Sequence, residues 1–158
     1  MISKHKVMAT IAAVLLTLGM SLVSGSVANA SVQEIGPCSG PSQRITDNFN
    51  NPGVKLCGSR HVVVDFGRGN LINVVIGVVG DTRPVYADGG SGWHRVGNGA
   101  AAREYTQCGR GPADLGLWLT NEDPHVVVVV GTDGYYYLVR FYEDNTNSNW
   151  VKGNDACP

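Results

Sequence analysis

Three histidines of this 158-residue chain, His61, His94 and His125, stand far apart, and none belongs to a pattern that does chemistry. A G-x-S-x-G nucleophile elbow and an H-E-x-x-H zinc helix are both absent. Each histidine reads as a strand residue with one ring nitrogen held by the backbone. Two acidic pairs, Glu122-Asp123 and Glu143-Asp144, each sit beside a turn. Glycoside hydrolysis needs two carboxylates facing each other across a cleft, whereas neighbours on a strand point to opposite faces. They read as solvated turn residues. Asp81 and Asp133 adjoin glycines in hairpin turns, and a D-x-D-x-D-G calcium loop is missing. The expectation is a protein that is not an enzyme, with no catalytic residues, no metal and no cofactor.

The cysteines point to compartment. Cys38, Cys57, Cys108 and Cys157 have no pair two to four residues apart, so the spacing is not that of a zinc site. Upstream of them, Lys4 and Lys6 precede a mostly apolar stretch over residues 7–23, and Ala28-Asn29-Ala30 fits a cleavage site before Ser31. Residues 1–30 therefore read as a secretory signal peptide, and the protein as secreted and extracellular, without a membrane span. An even cysteine count in an exported chain implies two disulfides, with three connectivities open. Pairing of sequence neighbours favours Cys38–Cys57 and Cys108–Cys157. With 12 Lys and Arg against 13 Asp and Glu and no basic patch, nucleic acid and anionic membrane are excluded as expected partners.

The third group is aromatic: Trp93, Trp118 and Trp150, interleaved with Arg95 and Arg140. Sugars present C–H faces that stack on aromatic rings, while Arg, Asp, Glu and Asn bond their hydroxyls. A repeated Trp in a small β protein is as readily explained by packing. Which role it takes depends on the strands that carry it. The strongest strand signal is the valine run 126–130, followed by Gly131-Thr132-Asp133-Gly134 and Tyr135-Tyr136-Tyr137. An Asp-Gly dipeptide between β-branched and aromatic runs predicts a hairpin with a type I′ turn. Five valines without alternation predict a strand buried on both faces.

A similar pattern occurs earlier, in the apolar run 73–79 followed by Gly80-Asp81 and Pro84-Val85-Tyr86. Cys57-Gly58 recurs as Cys108-Gly109, and at the same spacing Val78-Val79-Gly80 falls on Val129-Val130-Gly131. Trp93 and Trp150 take corresponding places after their hairpins. Helix signals are nearly absent. The chain is thus predicted to be all-β: an irregular segment over 31–56, with one strand near 42–46, then two similar four-stranded units over 57–107 and 108–158.

Units of this size with four strands resemble propeller blades. The segments Gly80-Asp81 and Ser91-Gly92-Trp93-His94-Arg95-Val96-Gly97, with Trp118 and Val128-Val129-Val130-Gly131-Thr132-Asp133-Gly134-Tyr135, resemble blades of the bacterial fucose-binding β-propeller lectins. The resemblance covers residues 57–153 and implies glycan binding near a blade junction by an aromatic, an Arg and an acidic residue. Carried onto this chain, that implicates Trp93, Arg95, Trp118, Glu122, Arg140 and Trp150. Those lectins carry more blades per chain, and their blades are not framed by cysteines. Two blades cannot close a ring, and exposed apolar strands would aggregate. Either several chains complete a ring as a homo-oligomer, or the two units pack as a compact sandwich or barrel.

The function expected from these residues is that of a secreted, lectin-like glycan-binding module. The rival is a small disulfide-linked inhibitor of a hydrolase, either protease or amylase, presenting loop 145–149 or 89–92. The chain is similar to small bacterial α-amylase inhibitors in being an exported β domain, but it lacks their Trp-Arg-Tyr triplet, having Ser42-Gln43-Arg44. A structural or surface-associated role is the third reading.

Overall fold

The computed structural model describes residues 31–33, 38–98, 117–120 and 123–156, with backbone alone for 31–33, Trp118 and Ala156. The expected signal peptide, Cys108, Cys157 and Glu122 lie outside the described residues. Every regular element among the described residues is a strand, and no helix there is long and apolar enough to cross a membrane.

Three antiparallel sheets form. The largest holds β1 (Ser31–Gln33), β4 (His61–Asp65), β5 (Leu71–Ile76), β6 (Val85–Asp88) and β7 (His94–Arg95), in the order β1-β4-β5-β6-β7. A second is the meander β8 (Leu117–Leu119), β9 (Val126–Val130), β10 (Tyr135–Arg140) and β11 (Val151–Ala156). The third is a lone hairpin of β2 (Ser42–Thr46) and β3 (Pro52–Leu56).

Alternation along the strands sets the core. Val62 and Val64 of β4, Val74 and Ile76 of β5, and Val85 and Ala87 of β6 share one face of the five-stranded sheet and are buried. Leu117, Val127, Val129, Val139 and Phe141 of the second sheet are buried in the same apolar cluster. The apolar faces of the two sheets thus cover each other, each buried Val or Ile contributing about 1.5–3 kcal/mol. Strand β9 matches its unbroken valine run: Val127 to Val130 are all buried.

The β9–β10 turn differs from the expected type I′. The Gly134 N–H donates to Gly131 O at 3.0 Å, and only Gly134 has positive φ (85°), while the Tyr135 N–H donates to Asp133 Oδ1 at 3.2 Å. This is a right-handed turn closed by one left-handed glycine, the form of a three-residue hairpin loop. Asp133 is held by its side-chain bond rather than by a left-handed backbone.

Segment 31–56 is more regular than its composition suggests. Its last strand, β3, begins Pro52-Gly53 and carries no strand signal of its own. Pairing with β2 in the register Thr46↔Pro52 to Ser42↔Leu56 makes it a strand. The Cys38–Cys57 disulfide closes this hairpin, with Cα atoms 5.6 Å apart and a sequence separation of 19. A loop of that size is worth about 3 kcal/mol in the chain-entropy account. This is one of the two expected disulfides; the other involves residues that are not described.

Candidate binding cleft

The face of the five-stranded sheet opposite the core carries a cross-strand row: His61 on β4, Val75 on β5, Tyr86 on β6 and Arg95 on β7. Two residues along, on the same face, stand Asn73 and Asp88. The β2–β3 hairpin lies over this row, and Trp93 of the β6–β7 connection is pressed against it. A Cβ on Gly53 would come within 2.6 Å of Trp93 Nε1, so only glycine allows the hairpin to lie this close.

Where the hairpin and sheet diverge, a cleft of about 220 Å³ opens. Pro52, Gly53 and Val54 form the hairpin wall. Val75, Tyr86 and Trp93 form the floor, and Val78 and Val79 of the β5–β6 loop close the far side. Val54 (46 % exposed) and Val79 (54 % exposed) stand out at the rim as large apolar side chains open to solvent. The lining brings no carboxylate, imidazole or thiol, and its one hydroxyl is the Tyr86 phenol. Trp93 Nε1 is buried without an acceptor among the described residues, lying against Gly53. Among the described residues no cluster of three or more metal-binding side chains occurs. The cleft can seat a small apolar or aromatic group.

Behind the cleft the hairpin and the sheet enclose polar groups. His61 is 3 % exposed, its Nε2 lies 2.9 Å from Asn73 Oδ1, and its ring centroid lies 6.3 Å from that of Trp93. An amide oxygen opposite Nε2 requires the proton there. Burial pulls the His61 pKa down; the Asn73 bond resists this and the Lys55 charge adds to it. Lys55 is 2 % exposed, donates to Ser59 O and is also held below its usual pKa by burial. Asn51 bridges two buried carboxyl groups: its backbone N–H donates to Asp47 Oδ1 and its side-chain amide to Asp88 Oδ2, both at 2.8 Å.

The residues singled out in the sequence do not gather in one place. Trp93 stands in the cleft floor, and Arg95 is exposed, directly across from Tyr86. Arg140 pairs with Asp123 on the second sheet, where the His125 N–H and the Arg140 guanidinium hold Asp123 below the usual carboxylate range. Trp150 packs against the core and over Gly97, donating from Nε1 to Val96 O at 2.9 Å. Trp118 contributes a backbone position on β8, opposite Val128.

His125 stacks on Phe66 at 4.6 Å and sits 3.5 Å from Asp123, and among the described residues no hydroxyl bonds its buried Nε2. Asp133 is held by Lys152 at a pKa of about 2, as part of an exposed staple with Tyr137. Tyr86, Val54 and Val79, which complete the cleft, carry no local signal; they are ordinary strand and turn residues until the hairpin is placed over them. No known protein family, characterised protein or solved structure matches the chain.

Proposed function

We propose that this chain is a secreted, non-enzymatic binding protein that engages a partner protein by receiving one of its apolar or aromatic side chains in the Trp93 cleft. The observation that carries this reading is the lining: two aromatic rings and four valines, open at a rim of exposed Val54 and Val79. Exposed valines grouped round a preformed aromatic floor are what a protein contact buries. A hydrolase inhibitor is one protein that would work this way. The core shared by both large sheets supports a chain that is self-sufficient, since their apolar faces need no neighbouring copy to complete a ring.

A glycan is the second reading, favoured by Trp93, Tyr86 and Arg95 lying on one face. A sugar could stack on the rings, with Arg95 for a hydroxyl. Most of its hydroxyls would then meet valine, at about 1–3 kcal/mol for each one desolvated and unpaired. That cost places the glycan second.

The test titrates oxidised protein, from Ser31 onward, with indole as a side-chain mimic and separately with a panel of monosaccharides, following backbone amide shifts. Indole shifts centred on Val54, Val79 and Tyr86, lost in Val79→Asp, support the protein-contact reading. Shifts at Arg95 and Trp93 with one sugar alone replace it with the glycan reading. Silence to both probes removes the cleft as a binding seat. Val79 is exposed, so Val79→Asp should leave stability within about 0.5 kcal/mol.

A further inference from the structure

Asp47 and Asp88 are respectively 6 % and 0 % exposed, and they come from opposite sides of the gap between hairpin and sheet. Their surroundings are unequal. Asp88 Oδ1 accepts the N–H groups of Gly90 (2.6 Å) and Gly92 (3.0 Å), and its Oδ2 accepts the Asn51 amide. Asp47 Oδ1 accepts the N–H groups of Phe49 and Asn51, both at 2.8 Å, while Oδ2 has no donor among the described residues. Asn51, bonded to both, holds the two carboxyl groups side by side.

A buried carboxylate oxygen with no donor, set beside a second carboxylate, is costly unless something positive lies between them. A metal ion fits poorly, because most of the remaining oxygen lone pairs already receive N–H groups. A proton on Asp47 Oδ2, donated to Asp88, completes both. We propose that Asp47 and Asp88 share a single proton that latches the β2–β3 hairpin to the five-stranded sheet, so that acidity closes the hairpin wall of the cleft and loss of the proton loosens it.

The directions of titration agree. Burial and the Asp88 neighbour raise Asp47 against the pull of the Asn51 and Phe49 N–H groups. Burial also pushes Asp88 up, but the Gly90 N–H, the Asp47 proton and Asn51 outweigh it, and Asp88 ends lowered. Asp47, raised, contributes stability that is full below its unfolded pKa and lost as pH rises through the folded one. Asp88, lowered, contributes stability that is present above its unfolded pKa and lost as pH falls through the folded one. The latch is complete between the two folded pKa values, a window that straddles the ordinary Asp value of 3.8.

Other groups face this layer. Asn73 donates to Asp88 O, Phe49 lies over Gly90, and Asn145 of the β10–β11 loop, next to Asp144, donates to Gly89 O. Lys55 and His61 are the other buried titratable groups. Both are lowered, so each destabilises the layer in acid, opposite in sign to Asp47.

The test therefore compares two proteins rather than two pH values. Asp47→Asn keeps both acceptor bonds at Oδ1 and donates permanently to Asp88 through its amide. Amide exchange protection of Gln43, Ile45 and Lys55, whose N–H groups face across the hairpin, corrected for intrinsic rates, is measured in wild type and variant between about pH 4 and about pH 8. The expected wild-type to variant ratio is near one in acid and falls steadily as the pH rises through the folded pKa of Asp47. Protection of β9 and β10 amides should show no such divergence. A ratio constant with pH overturns the proposal.

Carboxyl carbon titration of the wild type alone decides the matter should the variant not fold. Asp47 titrating above and Asp88 below the ordinary range supports the shared proton, and ordinary titration of both refutes it. The opening of the cleft as a consequence for ligand rests on the binding reading above. Both measurements are made without ligand, so the latch stands or falls separately.

Discussion

The two faces of the five-stranded sheet are built on opposite principles. One meets the second sheet through the apolar side chains Val62, Val64, Val74, Ile76 and Val85. The other meets the hairpin through His61, Asn73 and Asp88, answered by Lys55, Asn51 and Asp47. Strands β4 and β5 serve both faces, and their alternation gives Val62, Val64, Val74 and Ile76 to one, and His61 and Asn73 beside Val63 and Val75 to the other. Apolar burial is non-directional and tolerant, so the first interface holds the fold together. A buried polar interface is favourable only while every partner is in place, so the second specifies one position for the hairpin and responds to changes in protonation.

The comparison can be broken from the apolar side first. Phe141→Ala, at a residue 2 % exposed in the shared core, should lower unfolding free energy by about 3–5 kcal/mol in urea titration. A loss of less than half that would mean the two sheets do not share one close-packed core. On the polar side, Asn73→Ala strips the His61 Nε2 of its acceptor and should cost about 1–3 kcal/mol. That loss should change with pH. His61 is lowered by burial, so its contribution is full above its unfolded value of 6.5 and is lost as pH falls through the folded one. Without Asn73, whose bond favours the charged form, acid sensitivity should increase, measurable as a steeper fall of melting temperature below neutrality.

Lys55→Met sharpens the contrast by removing a buried amine. The lost bond to Ser59 O is offset by relief from desolvating the ammonium, so stability should change by no more than about 1 kcal/mol. A loss of several kcal/mol would show that the polar interface depends on that charge. The smallest effect belongs outside both interfaces. Lys152→Ala should let the Asp133 pKa climb from about 2 toward the ordinary carboxylate range, read by carboxyl titration, with no measurable change in folding. Cooperative unfolding at lower denaturant would instead make the exposed staple part of the fold.

Local pattern reached far into the strands and little way into the site. The valine run of β9 and the aromatic run of β10 were legible because each strand's composition decides its own conformation. The Cys38–Cys57 bridge followed from neighbouring position. Strand β3 was not legible, since Pro52 and Gly53 oppose the strand and only pairing with β2 makes it one. The tryptophans show the limit more sharply. Trp93 and Trp150 follow similar hairpins in similar sequence, yet one lies in an open cleft with an unpartnered Nε1 and the other packs on the core and donates to Val96 O. Nothing within a few residues of either separates them. The Gly53 and Gly97 surfaces they meet come from elsewhere in the chain.

By itself the amino-acid order determined the all-β class, the alternation that gives a sheet two unlike faces, and the disulfide beside the hairpin. These depend on backbone sterics and on residues close in sequence. Tertiary structure alone decided that an unremarkable hairpin would cover the polar face, leave a cleft at Trp93 and bring Asp47 against Asp88. Those contacts join residues tens of positions apart, and they exist only once burial of the opposite face has set the sheet in place.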